Sequence, residues 1–216
     1  MKKYSAVATL LLGLGLAGTA RADVVPLSRS LADAGFERIA HVHGITVYKH
    51  KYSPVLKVAA EARFNGSPEE VAQVLLDYHA QRGRIQRLSE VRILDRQDKS
   101  LTVYQRLNLP VIDDRDFVLK VKWGDGKDGG KWITYDAIRR PKVRKRRGVV
   151  RVVDHSGGWL LRPSNKANQT WVRFQTRIDL SGWLPKWLAK SNSGKEVPAL
   201  FATLRKMLQE KKLSRR

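Results

Sequence analysis

Four groups of residues have the types and spacing to do chemistry. His41 and His43 stand two apart, as two ligands on one strand face would, but a metal site needs three or four ligands and no third lies at a fitting spacing. Asp113, Asp114 and Asp116 gather three carboxylates, the material of acid–base work, with Arg115 set among them. Ser156-Gly157-Gly158 and Ser193-Gly194 carry hydroxyls, yet both read as turns and lack the surroundings of a nucleophile elbow. Residues 139–147, "RRPKVRKRR", put seven cations in nine positions: Arg139, Arg140, Lys142, Arg144, Lys145, Arg146 and Arg147. Such a run grips nucleic acid, docks on an anionic membrane or stays solvated on a loop. The histidines read as strand-end residues beside a hairpin. No catalytic residue, metal ligand or cofactor is assigned.

The elements that must position these groups are strands followed by a helix. The pattern predicts strands at about 36–41, 45–50 and 55–64; in the third, Leu56, Val58, Ala60, Ala62 and Phe64 share a face. Ser67, Pro68 and Glu70 then form a capping-box start for a helix bearing Val71, Val74, Leu75 and Tyr78. Further strands are predicted at about 88–96, 101–109, 115–124, 131–139, 148–155, 158–162 and 169–179. Phe117, Leu119, Val121 and Trp123 alternate with Lys120 and Lys122, the mark of an antiparallel sheet with one wet face. After a helical piece near Pro185, a last helix follows Pro198, with Leu200, Phe201, Leu204 and Leu208 along one side. The tail from Lys211 reads as frayed. One α+β domain accounts for the whole pattern.

The first 22 residues address delivery. Lys2 and Lys3, the apolar "AVATLLLGLGLAG" and Ala20-Arg21-Ala22 have the three parts of a cleaved signal peptide. Residues 23–34 then form an N-terminal lead-in, and 35–212 the domain. The 216-residue chain has no cysteine, so neither a disulfide nor a lipidated cysteine is available to it. The expected product is periplasmic or secreted. Its charge is large: the whole chain carries +22, and loss of Lys2, Lys3 and Arg21 leaves +19. An exported protein meets anionic headgroups more than nucleic acid, and each cation near such a surface contributes about 1 kcal/mol.

The stretches "DDRDFVLKVKW", "RGVVRVVDHSGGWLLRPSNKANQTWVRFQTRIDLSGWLPKWLAK" and the amphipathic "PALFATLRKML" together resemble the START family of lipid-transfer domains. The most specific marks are Arg115-Asp116-Phe117, Gly148-Val149-Val150-Arg151, Thr170 and the run from Asp179 through Gly182, Trp183 and Pro185 to Trp187. The resemblance, over roughly 35–210, implies a helix-grip fold, in which a curved antiparallel sheet wraps a long C-terminal helix and encloses a cavity for one lipid. It implies a lipid carrier, not an enzyme, with Arg115 and Asp116 in structural roles. Asp136 is a candidate partner for Arg115. Sterol-binding members carry a buried Arg six positions after the Arg of Arg-Asp-Phe; here that position is Val121, which favours an acyl-chain lipid over a sterol.

On this reading Phe117, Leu119, Val121, Trp123, Leu200, Phe201, Leu204 and Leu208 face the cavity. The family pattern sets the basic stretch on a loop over the cavity mouth beside the C-terminal helix, where it docks on an anionic bilayer with Trp183 and Trp187 as interfacial aromatics. A monomer is expected. One alternative is a nonspecific polyanion or nucleic-acid binder, supported by charge alone, since zinc-finger spacing is missing and the Ser67 helix has no basic face. Another is a helix-grip enzyme acting on a bound hydrophobic molecule, by analogy of fold.

Overall fold

A computed structural model describes residues 24–109, 112–140, 142–179 and 193–214. These residues form one ten-stranded sheet, three α-helices and a short 3-10 turn at Lys127–Gly129. The strands are β1 (Phe36–Val42), β2 (Ile45–His50), β3 (Leu56–Phe64), β4 (Leu88–Gln97), β5 (Ser100–Leu107), β6 (Asp114–Asp125), β7 (Lys131–Ala137), β8 (Val149–Arg151), β9 (His155–Pro163) and β10 (Thr170–Ile178). Their order is β1-β2-β3-β10-β9-β7-β6-β5-β4, all antiparallel, with β8 paired parallel to the start of β6. The helices are α1 (Pro68–Leu76), α2 (Tyr78–Gln81) and α3 (Ser193–Leu213). The curved sheet around a C-terminal helix is the helix-grip architecture.

Local chemistry accounts for most boundaries. His43 and Gly44 both take positive φ, 49° and 69°, as a two-residue hairpin turn of the primed type requires. The exposed His41 and His43 are therefore hairpin residues, and His41 Nδ1 lies 2.9 Å from Thr46 Oγ1. The capping box at α1 is complete: Glu70 N–H donates to Ser67 Oγ at 3.2 Å and Ser67 N–H to Glu70 Oε2 at 2.8 Å. The helix predicted to run on through Tyr78 breaks at Asp77, whose Oδ1 accepts from Ala80 N–H and caps α2 instead.

Two predicted elements need correction. The strand expected over 148–155 is only β8, and the break falls at 152–154, so Ser156-Gly157-Gly158 is not a turn but part of β9. The glycines are there because the neighbours come too close for a side chain. A Cβ on Gly157 would overlap the Gln175 carbonyl and lie 2.5 Å from Tyr135 Oη, and one on Gly158 would lie 2.5 Å from the Ile133 carbonyl. The last helix starts at Ser193, with Pro198 inside it, and continues to Leu213, so the start of the tail is ordered helix. Ion pairs fix both ends: Arg87 Nη1 to Glu196 at 3.2 Å, and Lys212 Nζ to Glu70 at 3.3 Å. The helical piece expected near Pro185, with Trp183 and Trp187, lies outside the described residues.

The core lies on the concave face. Phe201, fully buried on α3, meets Phe64 of β3, Trp159 of β9 and Phe174 of β10 with ring centroids 5.7, 5.6 and 6.3 Å apart. Val121 and Leu208 are buried in the same core, and Trp123 packs half-buried against it. The lead-in covers the convex face: Leu31 packs with Phe36 and Ala59, and Gln175 exchanges two hydrogen bonds with the Val25 backbone, at 2.8 and 2.9 Å. Truncating Phe201 leaves an aromatic-lined void, so Phe201→Ala should cost about 3–5 kcal/mol. Urea denaturation measures the loss.

Candidate ligand cavity and basic groove

A cleft opens where α3 does not fill the sheet. Its outer lobe, about 360 Å³, is lined by Leu56 and Val58 of β3, Leu107 of β5, Phe117 of β6, Ile178 of β10, and Val197 and Leu200 of α3. An inner lobe of about 190 Å³ continues between Leu75, Tyr78, Leu119, Tyr135, Trp159 and Leu204. The lobes share Ile85, Gln105, His155, Phe174, Thr176 and Leu200. The outer lobe alone has the size of a small-molecule pocket, roughly 300–1,000 Å³.

Of the residues expected at the cavity, Phe117, Leu119, Leu200 and Leu204 line these lobes. Val121, Phe201 and Leu208 are packed core side chains, and Trp123 is half-buried against the core. Period-two and period-3.6 patterns mark a buried face but do not say where along it packing stops.

The polar groups on the wall were largely missed in the sequence. Arg115, almost fully buried, lines the outer lobe and donates from Nη1 to the Asp113 carbonyl at 2.5 Å. Asp136 is not placed to pair with it: Tyr135 faces the inner lobe, so its neighbour Asp136 points to the opposite side of the sheet, as alternation demands. Half-buried there, Asp136 has its carboxyl pushed up by desolvation, with Lys122 acting against this.

His155 sits between the lobes. Its Nε2 lies 3.1 Å from Thr176 Oγ1, while Nδ1 is buried with no partner among the described residues. Phe117 and Tyr135 flank the ring with centroids 4.9 and 5.0 Å away. Burial holds the imidazole pKa down, to about 4, against a smaller opposing pull from Asp154. Burial likewise pushes the phenols of Tyr78 and Tyr135 up, so both stay neutral. The useful sequence signal was His155's place in register with Gly157, Trp159 and Leu161; expecting a turn at Gly157 hid it.

Asp114 and Asp116 face away from the cavity. Asp116 accepts from Arg151 Nε at 2.5 Å and Nη2 at 2.9 Å, a buried two-pronged pair that holds β8 against β6. Asp114 accepts from Arg106 Nε at 2.6 Å and from the Leu109 N–H at 3.2 Å. Both carboxylates are thus consumed by structure. Among the described residues no group of three metal-binding side chains occurs, and no helix is long and apolar enough to cross a membrane.

The basic stretch lies elsewhere than expected. After β7 it folds over the convex face of β4–β6: Arg146 donates to Glu90 of β4 at 2.7 and 3.2 Å and stands 5.9 Å from the Tyr104 ring of β5. Gln105 faces the cavity, so Tyr104 and the loop upon it are on the other side of the sheet. The loop leaves β7 and rejoins at β8, and none of its described residues lines either lobe of the cavity. Arg140, Lys142, Arg144 and Arg146 border a groove there, while Arg139, Lys145 and Arg147 are exposed.

The family model described as START domain matches residues 82–214, more than half of the chain. The chain belongs to the START domain family. Among solved structures, the STAR-related lipid transfer protein of Xanthomonas axonopodis is 25% identical with a TM-score of 0.72, over 81% of this chain and 99% of that fragment. Human StAR-related lipid transfer protein 5 is 21% identical with a TM-score of 0.74, over 82% of this START chain and 88% of that one. An aromatase/cyclase, Zhui of Streptomyces, is more distant: 11% identity and a TM-score of 0.53, over 71% and 93% of the two chains, a likeness of fold alone. No curated protein matches.

The His155 environment generates a pH prediction. The unfolded ring titrates near 6.5 and the folded ring near 4, so between these values only the unfolded chain holds the proton. This contribution to stability is complete above about pH 6.5 and is lost as pH falls toward 4, by at most about 3 kcal/mol. His155→Gln should flatten that part of the stability profile, measured by urea denaturation between about pH 7 and about pH 4.5.

Proposed function

We propose that this START domain is an exported carrier that holds one lipid, with its acyl chain in the two-lobed cavity, and exchanges it at an anionic membrane. The observation that carries the reading is the cavity itself. Apolar side chains from β3, β5, β6, β10 and α3 line most of it, and its charged groups are Arg115 on the wall and Arg87 and Glu196 at the rim. An apolar chain gains from burial there at about 25 cal/mol per Å², and the few polar groups suit a single uncharged function on the cargo.

Arg87 and Glu196, paired at 3.2 Å, border the outer lobe, so the mouth has a charged rim between the segment before β4 and the first turns of α3. An acyl chain rather than a sterol is favoured because Val121 stands where the sterol-binding members carry a buried Arg. The signal-peptide pattern supports delivery to the periplasm or outside the cell, and the basic loop supplies attraction to anionic lipid. No catalytic step and no cofactor are proposed, and the carrier is taken as a monomer.

Filling the cavity tests the cargo. Leu200→Trp, at the junction of the lobes, should reduce uptake of a fluorescent fatty acid by about tenfold or more while leaving the urea midpoint within the range of a tolerated core change. Uptake unchanged by that substitution would place the cargo elsewhere.

A further inference from the structure

The convex face carries a second concavity, separated from the cargo cavity by the sheet. Arg92 and Leu94 of β4 and Arg140, Lys142, Val143, Arg144 and Arg146 of the loop enclose a groove of about 450 Å³. Five of the seven lining residues are cations. Among the described residues Glu90 is the carboxylate that serves them, accepting from Arg146 and, at 3.1 Å, from Arg92. Arg140, Lys142 and Arg144 have no acidic partner among the described residues.

The groove is held in shape. The buried Tyr104 ring packs under the cations, with Arg92, Arg146 and Arg151 at 4.5, 5.9 and 6.0 Å from its centroid. Arg151, itself locked to Asp116, donates to the carbonyls of Val143 and Arg144 at 3.3 and 3.5 Å, and Val143 N–H closes a turn onto the Arg140 carbonyl at 2.9 Å. Converging cations repel one another, and a fixed concave arrangement raises that cost unless an anion occupies it. Guanidinium forks match phosphoryl oxygens, and several together match a group with more than one negative charge. The ring of Tyr104 is already covered by guanidinium, so the groove offers no aromatic face on which a base of single-stranded nucleic acid could stack.

We propose that this groove is an anion site distinct from the cargo cavity, which takes a multiply charged phosphoryl group: a phosphomonoester or diphosphate, on a lipid headgroup or free. It deepens the docking part of the proposed function by replacing attraction to any negative surface with recognition of a headgroup.

The test uses inorganic pyrophosphate as the soluble probe, by titration calorimetry in about 0.15 M salt, where diffuse attraction is screened. Lys142→Ser/Arg144→Ser is the test variant, both side chains being exposed and without an acidic partner among the described residues; Lys166→Ser/Lys206→Ser removes the same charge elsewhere. Expected is one site per chain in the unaltered protein and in the control, weakened about tenfold or more in the test variant. Absence of saturable binding, or equal weakening in both variants, overturns the proposal. Vesicles of phosphatidylcholine with phosphatidic acid or with phosphatidylglycerol, matched in total charge, separate the sources. Preferential binding to phosphatidic acid, lost in the test variant, supports a headgroup ligand. Pyrophosphate binding with no vesicle binding keeps the groove with a free phosphate and removes membrane docking. Vesicle binding that follows total charge, with no pyrophosphate site, keeps docking and removes the groove.

Discussion

The packing of Phe201 sets the rest of the molecule. Its ring is held by Phe64, Trp159 and Phe174, so α3 is fixed against the part of the sheet formed by β3, β10 and β9. α3, with α1 and α2 beside it, does not cover the whole concave face of so wide a sheet. On the side of β5 and β6 the face continues past α3, and Gln105, Leu107, Phe117 and Leu119 line the cavity. The cavity is thus a consequence of where the helix is pinned.

The convex face solves a different problem. A sheet whose inner face is committed to a core and a cavity leaves its outer face to polar groups, and here those groups are paired in specific places. Arg173 joins Glu61 at 2.8 Å and the carbonyls of Pro26 and Arg29, each at 2.8 Å, which ties the lead-in across β3 and β10. Asp116 and Arg151 do the same for β8 on β6. Removing one partner of such a buried pair strands a charge, at a cost of about 3–5 kcal/mol, so these contacts fix the course of the chain more than they add net stability. The course matters for function: the Asp116–Arg151 pair carries the basic loop onto the outside of the sheet and starts β9 so that His155 enters the cavity.

Much of the fold could be read from local pattern. The faces of β3 and β6, the capping box at Ser67 and the stripe on α3 all follow from periodicity and cap chemistry that a few neighbouring residues determine. What escaped was set by contacts distant in the chain. Gly157 and Gly158 look like a turn until Gln175, Tyr135 and Ile133 are known to press on them from β10 and β7. The side of the sheet taken by residues 139–147 depends on a parallel return to β6, which no local spacing announces. Within the site, the apolar residues were visible as a set, but the division between lining and packed core, and the roles of His155, Thr176 and Arg115, needed the third dimension.

The central claim is that the space beside α3 exists to hold a lipid. Native mass spectrometry of the chain purified from its host, followed by organic extraction, tests it most directly. A single copy of an acyl-chain lipid per protein chain is the predicted result. A chain that arrives empty and takes up no lipid from anionic vesicles would contradict the account.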